Sequence, residues 1–548
     1  MSTRTNRATP ARQPALALRP RPATLALGAS LLTASLALSA CAGGTAANGA
    51  DSGTFTLAVP VPLPSANPYA ANTGAGQMLY LSYLAYDPLI NETKSGKFVS
   101  GLASAWKATS TSATFTLRKD VTCSDGQKLT ASQVARALTF VGNPKNQYPW
   151  IGGLTPTVTY SATGDDGAGT VTVKTKQDFP FLLQTLGQVP IVCAPGLEDA
   201  SKLDRGTSGT GPFVLESATQ NTWTYLVRKG YKWGPDGAGT SAVGTPKKLV
   251  LKIVTDPTTS ANELLAGKLT ATQVLGADAD RVRKSGVKST SSDSLGSSLW
   301  FSEGADQTTG DPAVRRALVA AMNFDDLVKV HRLASGLPAE RATSLRVGDP
   351  LTCPGADATK VMPSYDAAAA AKMLDEAGWL KGKGGIRSKD GKRLEVVIAY
   401  GHEKDSSVAQ LLSSEWQKIG VDATIKLLTT EEKQASITGA AKFNVLIGAS
   451  AMVLPTQFPP LITGPVPPKG QNNQQVSNPE YERLVDAANA APLAQTCTLW
   501  SKAENSLMSA ADIVPIAKQP ATLFFSSKAT AEYTSNRQPV PTSLKLGK

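Results

Sequence analysis

The sequence predicts an α/β fold, and three observations carry that reading. Residues 394–427 alternate strand, amphipathic helix and strand, a βαβ unit. Further helices in the second half repeat apolar residues at i, i+3, i+4 and i+7. The first half mixes segments of period two with helical ones, without strict βα alternation.

Taken in order, Thr54 to Val61 reads as a first strand, and Pro-rich turns lead to a helix over Gln77 to Tyr86. Phe115 and Leu117 alternate with Thr116 and Arg118, Asp125-Gly126 makes a turn, and Thr130 caps a helix with Val134, Ala137, Leu138 and Val141 on one face. Val158 to Lys176 is strand-rich and broken by GDDGAG. GTGPFVL, Gly209 to Leu215, turns into a strand, followed by strands at Asn221 to Tyr231 and Lys247 to Val254 and a short helix at Pro257 to Gly267. Asp311-Pro312 starts a helix carrying Val314, Ala317, Leu318, Ala321 and Met322. Asp366 starts another that stops at Gly378. In the βαβ unit, Leu394 to Tyr400 is a strand, and Asp405 caps a helix with Val408, Leu411, Leu412 and Ile419. Val421, Ala423, Ile425 and Leu427 then alternate as the second strand. Asn478-Pro479 opens a helix with Tyr481, Leu484, Val485 and Ala488 inward. There is no internal repeat.

The N-terminus is of another kind. Five arginines precede an uncharged run from Ala23 to Ala40, the pattern of a secretory signal peptide. Leu38-Ser39-Ala40-Cys41 resembles the bacterial lipobox, which implies removal of residues 1–40 and acylation of Cys41. At roughly 0.8 kcal/mol per buried CH₂, two or three acyl chains hold a protein at a membrane without a spanning helix. Ala42 to Ser52 reads as a flexible spacer. No later segment has the length of apolar sequence needed to cross a bilayer.

Of the net charge of +12, five positive charges belong to the leader. No basic run remains, so nucleic acid is excluded as a partner. A chain with 41% hydrophobic and 18% charged residues is globular rather than disordered or fibrous. With Cys41 assigned to lipid, Cys123, Cys193, Cys353 and Cys497 allow two disulfides in three connectivities. Their spacing does not suit zinc. Two histidines, His331 and His402, and no Gly-x-Ser-x-Gly elbow argue against a secreted hydrolase, and no cofactor or catalytic residue is expected.

Five landmarks in register resemble the family 5 extracellular solute-binding proteins of ABC importers, the group of peptide-, nickel- and sugar-binding lipoproteins. They are the strand–Asp-Gly–LTASQV segment of residues 115–134, GTGPF at 209–213, DPAVRRALVAAMNFDDLVK as one long helix, AAAKMLDEAGW, and SNPEYERLVDAA. The resemblance implies a two-lobed α/β fold of the periplasmic-binding-protein type (type II, cluster C), with three structural domains and a hinge. A large lobe would take residues 53–275 plus 510–548, with an inserted subdomain at about 87–199, and a small lobe 276–509. Pairing Cys123 with Cys193 and Cys353 with Cys497 would keep each bridge inside one lobe.

The resemblance also implies a monomeric, non-catalytic protein, lipid-anchored outside the cytoplasm, that hands a solute or peptide to an ABC permease. A ligand-sensing or scaffold role without transport reads the same way. Peptide-binding members place an acidic residue, near a Trp, after a strand corresponding to Phe443 to Gly448, where it takes the ligand's amino group. Here Ala449 to Pro460 holds no carboxylate and no Trp. An ammonium desolvated without a partner costs several kcal/mol, so small free-amine peptides are disfavoured, and longer or capped peptides, sugars and other neutral solutes stay open. Gln77, Met78, Tyr80, Trp300, Phe301, Met452 and Gln457 are the candidate cleft residues, with core packing as the alternative for each.

Overall fold

The computed structural model describes residues 53–70, 77–146, 148–204, 207–348, 351–437, 442–450, 452–526, 529–533 and 540–547. The leader, the lipobox and Cys41 lie outside the described residues. A long mixed sheet runs through the rest. Its strands are β1 (Thr54–Val59), β2 (Phe213–Ala218), β3 (Thr222–Val227), β4 (Lys248–Ile253), β5 (Ala271–Thr272), β6 (Lys288–Phe301), β7 (Glu395–Tyr400), β8 (Asp422–Leu427), β9 (Val445–Ser450) and β10 (Ile513–Phe525). They lie in the order β8-β7-β9-β6-β10-β5-β1-β4-β3-β2, and Glu340–Arg341 adds a short pairing to β10. At one end β1 runs parallel to β4 and β5; at the other β7 runs parallel to β8 and β9. Between them β6 and β10 pair antiparallel along most of their length, from Lys288 opposite Phe525 to Trp300 opposite Ile513.

The principal helices are α1 (Gln77–Ala85), α2 (Ala131–Gly142), α3 (Pro257–Leu265), α4 (Pro312–Ala320), α5 (Phe324–Ser335), α6 (Ala367–Glu376), α7 (Ser406–Lys418), α8 (Pro479–Ala490) and α9 (Leu493–Ser509). Two large hydrophobic cores hold them. One gathers Phe55, Phe115, Phe213, Trp223 and Leu249 and extends to Trp500. The other gathers Leu299, Phe301, Val314, Leu318, Val396, Leu412 and Trp416. A separate four-stranded sheet (residues 103–117 and 160–175) packs on α2, where Tyr160 donates to the Leu138 carbonyl at 2.6 Å.

Local chemistry sets the boundaries. Thr130 caps α2 by accepting from the Gln133 amide, and the expected apolar face is buried. The stretch read as one long helix is two. α4 ends at Ala320, and Asn323 caps α5 while its own amide donates to Glu415 at 3.2 Å. Asp405 does not cap α7; its carboxylate takes Lys404 Nζ at 2.7 Å instead. Ile425 and Leu427 are about 40% exposed, because β8 is the edge of the sheet.

Both disulfides form, Cys123–Cys193 and Cys353–Cys497. Near the second, buried Arg346 meets Glu504 of α9 at 3.0 Å and donates to the Pro354 carbonyl, so the loop is tied to the helix twice.

The GTGPF corner is a close approach rather than a binding motif. A Cβ on Gly209 would sit 2.0 Å from the Ala85 carbonyl oxygen, at the end of α1. Beside it, buried Asp87 accepts from Tyr231 Oη (2.7 Å) and Trp233 Nε1 (3.0 Å). Burial pushes its carboxyl up to about 6, above the unfolded value, and the hydrogen bonds offset only part of that. The folded state therefore holds the proton more tightly, and stability is lost as pH rises from about 4 to about 6. Over that interval the parent should lose roughly 3 kcal/mol more than Asp87→Asn, read from urea midpoints at pH 4 and 7. Parallel pH profiles would refute the assignment.

Candidate functional site

In an open α/β sheet the groups free to meet a ligand lie beyond the carboxyl ends of parallel strands, where backbone leaves the ladder. Here two such sets face one cavity of about 310 Å³. Ala58 of β1 and Pro60 just after it, Val254 and Thr255 after β4, and Thr272 at the end of β5 with Gln273 to Leu275 after it line one side. Lys404 after β7 and Ala449 of β9 line the other, and Ser294 to Gly296 of β6 with Gln519 to Thr522 of β10 bridge them. A depression of about 380 Å³ beside the exposed residues Ser132, Arg136 and Thr139 of α2 lies away from any parallel strand ends.

Among the described residues lining the cavity, Lys404 is the only charged one, and Asp405 balances it. Gln519, 7% exposed, receives a 2.5 Å hydrogen bond at Oε1 from His331 Nε2. In this placement the carboxamide oxygen accepts, which puts the imidazole proton on Nε2 and leaves Nδ1 a buried acceptor with no partner among the described residues. Burial, with the Lys404 charge second, pulls His331 down to about 4, so the ring is neutral in ordinary buffers. Gly296 makes the arrangement possible, at an irregularity in the β6–β10 register.

Of the residues expected to line a cleft, Trp300, Phe301, Met452 and Gln457 are not among the residues lining this cavity. Gln77, Met78 and Tyr80 belong to α1, and their side chains lie outside the described residues. Phe301 is fully buried in the second core, tilted against Trp416, which leaves it no surface for a solute. Gln457 Oε1 accepts the Val453 and Leu454 amides, both at 2.8 Å, and so serves its own loop. Trp300 is half-buried, stacked on Phe458 with ring centroids 6.4 Å apart, so an aromatic from β6 reaches the loop that lacks a Trp of its own. Met452 packs at the rim of the first core. Next to it, Thr456 donates to the Gly152 carbonyl at 2.6 Å. Gln519 stands in a Pro-interrupted strand, His331 on a helix, Lys404 in a turn and Gly296 in a Ser-rich strand, so none of them is read from pattern.

A model of the bacterial extracellular solute-binding proteins, family 5 Middle, matches residues 97–463. The chain belongs to this family. Protein XP55 of Streptomyces lividans is 30% identical over 58% of this chain and 56% of its own length. The nickel-binding periplasmic protein of Escherichia coli K12 is 25% identical over 68% of this chain and 70% of its own. The oligopeptide-binding protein AppA of Bacillus subtilis, solved with a nonapeptide, superposes with a TM-score of 0.72 at 16% identity, covering 90% of this chain and 99% of its own. The two-lobed α/β fold of family 5 is thus the fold of this chain, and members of the family are binding proteins rather than enzymes.

A Cβ at residue 296 would stand 2.7 Å from His331 Nε2 and 2.8 Å from Gln519 Cβ, whereas one at Gly448 meets nothing closer than 3.9 Å. Gly296→Ala should cost about 1–3 kcal/mol and Gly448→Ala far less, measured by chemical denaturation. Equal costs would show that the crevice floor is not tightly packed.

Proposed function

We propose that this protein is a lipid-anchored, extracytoplasmic receptor of an ABC importer that captures a peptide-type solute in the crevice and delivers it to a membrane permease. The observation that carries the reading is the convergence of two sets of parallel strand ends on one cavity bridged by β6 and β10. A solute there touches both lobes, so it binds the closed form better and shifts the population toward it. The large lobe is taken as residues 53–275 and 510–548, with the inserted subdomain at about 87–199, and the small lobe as 276–509. Gln77, Met78, Tyr80, Trp300 and Met452 are kept as residues of the wider cleft. The relatives' ligands, nickel in one and a nonapeptide in another, span metal and peptide cargo. A cavity lining whose one charge among the described residues, Lys404, is balanced by Asp405 favours the peptide class. Anchoring rests on the LSAC sequence ending at Cys41.

The chain from residue 42 should be stabilised by about 2.7 kcal/mol when a true ligand stands at 100 times its dissociation constant. A thermal-shift panel of free and capped peptides, oligosaccharides and metal chelates measures this, and a panel with no peptide hit would remove the peptide assignment. In cells, Cys41→Ser should move the protein from the membrane fraction to the medium or periplasm; unchanged fractionation would remove the lipid anchor.

A further inference from the structure

The polar groups of the crevice floor are unequally engaged. Ser260 and Thr272 hydroxyls bond each other at 2.5 Å, Thr272 also bonds the Gln273 carbonyl, and Thr522 leans on the Pro520 carbonyl. Lys404 is held by Asp405 at 2.7 Å, which cancels its charge locally. Gln519 differs. Its Oε1 is held by His331, its side chain is more than nine-tenths buried, and its Nε2 has no hydrogen-bond partner among the described residues. With Oε1 turned to His331, the end left for the cavity is a pure donor. Gln519 Nε2 is not among the fully buried side-chain atoms that lack a partner, so this donor keeps surface at the cavity the residue lines, where an acceptor oxygen can meet it.

We infer that Gln519, oriented by His331, is a specificity-determining residue that donates a hydrogen bond to a neutral carbonyl oxygen of the ligand, such as the amide of a capped or internal peptide unit. The inference rests on the peptide-type reading above. It assigns discrimination to the floor: a carbonyl completes the donor, whereas an ammonium meets N–H groups and finds no carboxylate lining the cavity among the described residues. His331 acts through Gln519 and is a positioning residue.

The test compares N-acetylated and free-amine alanine peptides of three and five residues by calorimetry on the parent and on Gln519→Glu. That variant keeps an oxygen for His331 but turns the cavity-facing donor into an acceptor. The parent should bind the acetylated form at least tenfold more tightly, and Gln519→Glu should lose or invert that preference. The side-chain amide resonance of Gln519 in the parent should shift on adding the acetylated peptide, a readout that needs no variant. Equal binding of the two forms, a preference unchanged in Gln519→Glu, or an unmoved Gln519 amide signal would each overturn the inference while leaving peptide capture intact. No binding of either form by the parent would overturn the peptide reading and this assignment with it.

Discussion

Everything in this structure depends on the pairing of β6 with β10. Two long strands lie side by side from Lys288–Phe525 to Trp300–Ile513, and parallel strands flank them on both sides. A slip of either strand by one residue would turn its whole set of side chains to the other face. It would turn Leu299 out of the second core or Gln519 away from His331. The Trp300–Ile513 end of the pair is fastened by buried charge. Arg315 meets Asp512 at 2.9 Å and Glu303 at 3.5 Å, just outside the two strands, and Asn478 donates to Asp512. Burial, then the Asp512 charge, pushes Glu303 upward, because one guanidinium serves two carboxylates.

Buried charge elsewhere has a similar framing use. Arg346 and Glu504 tie the Cys353 loop to α9, and Asp87 holds Tyr231 and Trp233 beside the GTGPF corner. The crevice is built differently, from backbone ends, small residues and one locked carboxamide. Rigid polar frames thus stand around a lining whose one charge among the described residues, Lys404, is balanced by Asp405.

Much of the fold was legible because its signals are local. Caps at Thr130, Asp311, Asp366 and Asn478 and the apolar faces behind them are written within a few residues. The βαβ unit at residues 395–427 is of the same kind. The central strands were not legible. β6 reads KSTSSDSLGSSLWF and β10 carries Pro515 and Pro520, so neither shows period-two alternation. The break between α4 and α5 was hidden because Asn323 stops one helix through contacts that include a distant Glu415. The site was the least legible part. Its residues come from positions 58 to 522 and share no spacing; only the sheet order brings them together.

That order also governs how the chain can be assembled. β10 is the last long strand to be made, yet it lies in the middle of the sheet, between β6 and β5. Until residues 513–525 arrive, β1, β4 and β5 cannot be joined to the rest, and both neighbours of the gap show open edges. A chain threaded N-terminus first through a narrow passage thus keeps its two halves apart until its tail emerges. Such an order leaves those edges open to aggregation until the tail is in place.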